Sequence, residues 1–95
     1  MFVVLLTYEK PLETIDALLA GHVRFLEEQY ARGVFLASGR RVPRTGGVIL
    51  ARAESSEALL RILADDPFYR EGAARYELIE FSPTKAAPGL KALLA

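Results

Sequence analysis

The chain has one histidine, and it stands where an aliphatic residue is expected. Within LLAGHVRFLEEQY, Leu18 to Tyr30, and counting from Ile15, the positions Ile15, Leu18, Leu19, His22 and Leu26 follow a helical stripe of i, i+3, i+4, i+7 and i+11. The imidazole is therefore predicted to face inward from mid-helix, beside the helix-weakening Gly21. Imidazole alone titrates near neutral pH without help, so an inward His22 is a candidate general acid or base. A neutral core histidine, satisfied by a carbonyl or carboxylate and holding no ligand, would give the same pattern. Burial disfavours the charged ring, so proton-transfer work calls for a carboxylate nearby.

Carboxylates occur in ADDPFYREG, Ala64 to Gly72. Asp65 and Asp66 fall at the negative end of a predicted helix, where acidic groups are unfavourable. Asp66 followed by Pro67 also reads as the cap and first residue of a short helical turn that Gly72 stops. The two readings are compatible, because a capping carboxylate has lone pairs to spare for an imidazole N–H.

The elements that must position these groups follow from patterning. Phe2 to Tyr8 (FVVLLTY) is apolar at successive positions, the mark of a strand buried on both faces. A helix from about Leu12 to about Arg32 follows, with Gly33 as its stop. Val34 to Ser38 is a second strand, Gly39 to Gly47 (GRRVPRTGG) a cationic hairpin loop, and Gly47 to Ala53 a third strand. Ser55 or Ser56 caps a second helix, SEALLRILADD, which Pro67 ends. Arg75 to Phe81 is the last strand. The order β-α-β-β-α-β is the ferredoxin-like α+β sandwich, with both helices on one face of a four-stranded antiparallel sheet. The other face would expose the apolar positions of the first strand, Val48 to Leu50, Leu78 and Ile79. A second copy of the chain is expected to cover it, sheet against sheet. Residues 1–85 read as the domain and 86–95 as a C-terminal tail.

Composition bounds the function. At 95 residues and 52% hydrophobic, with 12 basic and 12 acidic side chains, the chain is a single folded domain and presents no basic field. Nucleic acid and membrane are therefore not expected partners. The longest fully apolar run, FVVLL, is too short to span a bilayer and no leader pattern precedes it, so a cytoplasmic location is expected. There is no cysteine, hence no disulfide and no thiolate chemistry. No spacing resembles a metal or phosphate loop, and neither a metal nor another cofactor is expected. Asn is absent, Gln29 and Met1 are single, and Arg outnumbers Lys, a bias shared by thermophile proteins and GC-rich genomes.

With these residues in place, the chain resembles the YciI-like (YCII-related) family of small dimeric α/β-barrel proteins. The resemblance rests on the first strand, H-x-x-F-L at His22 and F-L-A-S-G at Phe35 to Gly39. G-G-V-I-L at Gly46 to Leu50 and D-D-P-F-x-x-x-G at Asp65 to Gly72 complete it. It implies a His–Asp dyad, carried here by His22 and Asp66, and a substrate pocket partly lined by a Ser38–Gly39 turn. Arg40 occupies the position after Ser-Gly where the family often has proline. Arg40, Arg41 and Arg44 form either a solvated hairpin or a means of drawing a carboxylate substrate to the pocket. The expected function is acid–base chemistry on a small anionic metabolite by elimination, isomerisation or hydrolysis. The alternatives are a non-catalytic metabolite-binding or regulatory homodimer, and a structural dimer with a satisfied histidine.

Overall fold

The β-branched and aromatic run Phe2–Tyr8 forms strand β1, which lies inside a four-stranded sheet of order β2-β3-β1-β4 in the computed structural model of residues 1–94. The elements around it are α1 (Leu12–Ala31), β2 (Phe35–Arg40), β3 (Gly46–Ala51), α2 (Ser56–Leu63), α3 (Pro67–Arg70) and β4 (Ala74–Glu80). Every strand pairing is antiparallel, giving the ferredoxin-like sandwich with α3 as one added turn before the last strand.

Strand alternation sorts β1 between two faces. Phe2, Val4 and Leu6 are buried in one cluster with Ile15 and Phe25 of α1, Leu59 and Leu63 of α2, and Phe68 of α3. Val3 and Leu5 point the other way. They pair with Leu50 and Val48 on β3, and Val3 also pairs with Ile79 on β4. Ile79 is 46% exposed and Phe81 40%, so this face is apolar and uncovered in a single chain.

Helix α1 departs from the predicted stripe in an informative way. Its buried residues are Ile15, Phe25 and Gln29, whereas Leu19 and Leu26 are only half-buried. The cause is a cavity, described below, whose wall these two leucines share with Val23. Helix α2 stops at Leu63, earlier than the predicted run to Asp66. Asp66 must leave the helical region ahead of Pro67, and its backbone is extended at φ −71° and ψ 126°. Ser55 is the cap, accepting from Ala58 N–H at 3.1 Å.

The hairpin is also shorter than predicted. Gly39 and Arg40 finish β2, and Gly46 and Gly47 open β3 rather than making the turn. Gly46 has a physical reason to be glycine, since a Cβ there would lie 1.8 Å from the backbone oxygen of Leu6. Beyond β4 the chain runs without regular structure to a 3₁₀ turn at Lys91–Leu94, tied down where Arg52 donates to the Ala92 carbonyl at 2.8 Å. No helix among the described residues is long and apolar enough to cross a membrane.

Candidate active site

Asp66 owes its position to the capping role that its sequence context predicts. Its Oδ1 accepts the Phe68 N–H at 3.0 Å, closing the first turn of α3. That fixes the carboxylate facing α1, and the side chain is fully buried. Gly21 lets the helix approach: a Cβ at that position would stand 3.0 Å from Pro67 Cγ, a tighter fit than side chains ordinarily accept. One residue on, His22 Nδ1 reaches both carboxylate oxygens, at 2.9 and 3.0 Å. The ring stacks on Phe68 with centroids 4.0 Å apart and planes 8° from parallel, and Phe68 is itself met edge-on by Tyr8.

This geometry sets the histidine's tautomer. Nδ1 donates to the carboxylate, which leaves Nε2 as the ring nitrogen available to a molecule beside it. The imidazole is 12% exposed, so it is held rigidly yet not sealed off.

The exposure opens onto a cavity of about 210 Å³ between α1 and the β1–β3–β2 side of the sheet. Leu6, Leu19, Val23 and Leu26 supply apolar wall, and Gly46 and Gly47 contribute backbone without side chains. Pockets for drug-sized ligands run to roughly 300–1,000 Å³, so this one suits a compact molecule.

Ser38, Gly39 and Arg40 line the same cavity, but from a strand and not from a turn. The register shifts between Phe35 and Ala37, and this irregularity re-phases β2. Ser38 then pairs with the core residue Ile49, and Arg40 with Gly47, so both fall on the helix-facing side. The Ser38 hydroxyl is hydrogen-bonded to that of Tyr30. Arg40, Arg41 and Arg44 separate clearly. Arg44 is paired with Asp16 at 2.5 Å and Arg41 donates to the Thr7 hydroxyl at 3.1 Å. Arg40 lines the cavity with neither kind of tie among the described residues.

Sequence reasoning missed Tyr76. Its hydroxyl donates to Asp66 Oδ2 at 2.5 Å, so the carboxylate accepts from His22, the Phe68 amide and Tyr76 together. Burial, and then the adjacent carboxylate, hold the Tyr76 phenol far above its ordinary pKa of 10.0, keeping it a donor. The signal available in ARYELIEF, Ala74 to Phe81, was a polar-tipped aromatic alternating with Ala74 and Leu78 on the helix-facing side. Among the described residues, no three His, Cys, Asp or Glu side chains cluster as metal ligands would.

Comparison with known proteins agrees with this architecture. The model of the YCII-related domain matches residues 1–82, and the chain belongs to that family. Among solved structures it is similar to 5-chloro-2-hydroxyhydroquinone dehydrochlorinase from Burkholderia phenoliruptrix AC1100, in complex with 2,5-dihydroxybenzoquinone. The TM-score is 0.70 at 19% identity, over 85% of this chain and 93% of that one, a likeness of fold. No curated protein matches the sequence.

Proposed function

We propose that this protein is a small acid–base enzyme in which His22 Nε2 moves a proton on a compact anionic metabolite. The observation that carries the reading is the Nδ1 bond to a fully buried carboxylate, made at the wall of a cavity. Asp66 fixes the tautomer and supports the imidazolium once the ring has taken a proton. Elimination begins with such a transfer, and isomerisation and hydrolysis each need a proton taken up by the base and one given back. Arg40 supplies the anionic preference, as the arginine of the three left to meet a carboxylate or enolate at the cavity, with Ser38 and Gly39 beside it. The dehydrochlorinase of similar fold makes hydroxylated rings the first size class to try.

Benzoate is a suitable probe of the binding half of this reading. Its titration is expected to shift the His22 ring signals saturably. Arg40→Ala should weaken binding roughly 10–100-fold, the loss of one charge-assisted hydrogen bond. Arg41→Ala and Arg44→Ala should leave it near wild type. Equal affinities for all three variants would remove Arg40 from the site.

The homodimer is part of the same proposal. Val3, Leu5, Val48, Leu50 and Ile79 form an apolar face that a second sheet would cover, at about 25 cal/mol per Å² of apolar surface removed from water. Ile79→Glu is expected to halve the mass seen by light scattering, because it sets a charge on that apolar face beside Val3. Leu60→Glu, exposed on α2, serves as the control and should leave the mass unchanged. A wild-type protein of monomer mass at micromolar concentration is the outcome that rejects the dimer.

A further inference from the structure

We propose that Tyr76 is a third, positioning member of the His22–Asp66 pair, and that its hydroxyl limits how tightly Asp66 holds a protonated imidazole. The inference deepens the acid–base reading and rests on it for its consequence in turnover. The coupling itself can be measured with no substrate present.

Asp66 is fully buried, so its charge is answered by fixed protein donors. A carboxylate facing only the imidazole would give that ring the whole benefit of its charge, and Nε2 would be reluctant to release a proton once it had one. Here the charge is divided. Oδ1 is shared between His22 and the Phe68 amide, and Oδ2 between His22 and the Tyr76 hydroxyl. The amide is backbone and would be present with almost any residue at position 68. Tyr76 is different, because the hydroxyl is a choice of side chain made from a separate element, β4, opposite Leu6.

Packing does not require that hydroxyl. The helix-facing neighbours of Tyr76 along β4 are Ala74 and Leu78, and phenylalanine would fill the same space among them. The ring is steadied by Tyr69, which meets it at 5.1 Å between centroids. With the ring held on one side and the carboxylate fixed by its capping bond, the 2.5 Å hydroxyl contact keeps a set direction. A hydrogen bond to a charged acceptor is worth about twice one between neutral groups, so its removal should be felt at the imidazole across the shared oxygen.

Other titratable or charged groups near the pair are few. They are Tyr8 from β1, Arg40 from β2 across the cavity, Arg24 on α1 beside Gly21, the exposed Asp65 next in the chain to Asp66, and Tyr69 from α3. Strand β3 contributes none, since Gly46–Ala51 has no ionisable side chain. Tyr69 therefore serves as the matched control for Tyr76: it is the same residue type, in ring contact, and among the described residues its hydroxyl makes no bond to Asp66, its backbone N–H alone reaching the Asp66 carbonyl.

The test is an NMR pH titration of the one imidazole, whose signals need no assignment in a chain with a single histidine. Tyr76→Phe is expected to move the His22 titration to higher pH, while Tyr69→Phe leaves it in place. In an Asp66→Asn background Tyr76→Phe should have no further effect, because the coupling runs through the carboxylate. A Tyr76→Phe titration superimposable on wild type, or an equal shift in the Asp66→Asn background, would overturn the proposal. A second readout needs no variant. Wild-type protein should show a slowly exchanging, downfield hydroxyl proton for Tyr76 with a cross-relaxation peak to the His22 ring N–H, and its absence also overturns the proposal. Neither result depends on whether an activity is found, so failure here is distinct from failure of the enzymatic reading.

Discussion

Asp66→Ala is expected to destabilise the protein by about 3–5 kcal/mol, the range for stripping one partner from a buried charge-paired group. Three donors lose their acceptor at once, namely His22 Nδ1, the Phe68 amide and the Tyr76 hydroxyl. Each stranded donor costs roughly 1–3 kcal/mol when buried, and loss of a helix cap about 0.5–2. These terms share one side chain and do not add, so the combined figure stays within the range above. Small domains have about 5–15 kcal/mol in total, so the variant should unfold at visibly lower urea concentration and temperature. Asp65→Ala is the control. Asp65 is exposed with no side-chain bond among the described residues, and surface changes of that kind stay within about 0.5 kcal/mol. A loss below about 1 kcal/mol for Asp66→Ala would show that the carboxylate is not the junction between α1, α3 and β4 described above.

That one residue can matter so much follows from local rules that are legible in the sequence. Asp-Pro is a start signal for a helical turn, an imidazole on an apolar stripe is an inward-facing polar group, and both can be found without knowing the fold. Element order is legible for the same reason, since each strand and helix shows its own period. What does not show is register. Whether Ser38 and Arg40 face the helices depends on the irregularity between Phe35 and Ala37, and no residue type there announces it. Tyr76 is hidden similarly, because its meeting with Asp66 requires knowing that it sits opposite Leu6. The predicted stripe on α1 fails in part for a third reason. Hydrophobic periodicity does not distinguish a core wall from a cavity wall, so Leu19 and Leu26 look like core while Phe25 does more of the packing. The site is thus readable as chemistry and unreadable as shape.

The second large effect falls on turnover, and the choice of substitution decides what it teaches. His22→Ala removes the base, but it also removes the Phe68 stack and leaves Asp66 one donor short. His22→Asn is sharper. Its amide nitrogen can take the place of Nδ1 and keep a hydrogen bond to the carboxylate, while nothing replaces Nε2. A positioned general acid or base contributes roughly 10²–10⁴-fold, so proton-transfer activity should fall by that factor in His22→Asn. Benzoate affinity, set by Arg40 and the apolar walls, should remain within about threefold of wild type, below the tenfold that 1.4 kcal/mol represents. Uptake of deuterium from D₂O into small enolisable 2-oxo acids gives a readout that does not presuppose the natural reaction. Wild-type exchange above the buffer rate that vanishes in His22→Asn, with binding intact, assigns the proton transfer to Nε2. Equal exchange by the two proteins would take His22 out of the chemistry, and binding without exchange in wild type would leave the cavity as a metabolite-binding site. The dyad would then serve only to build its wall.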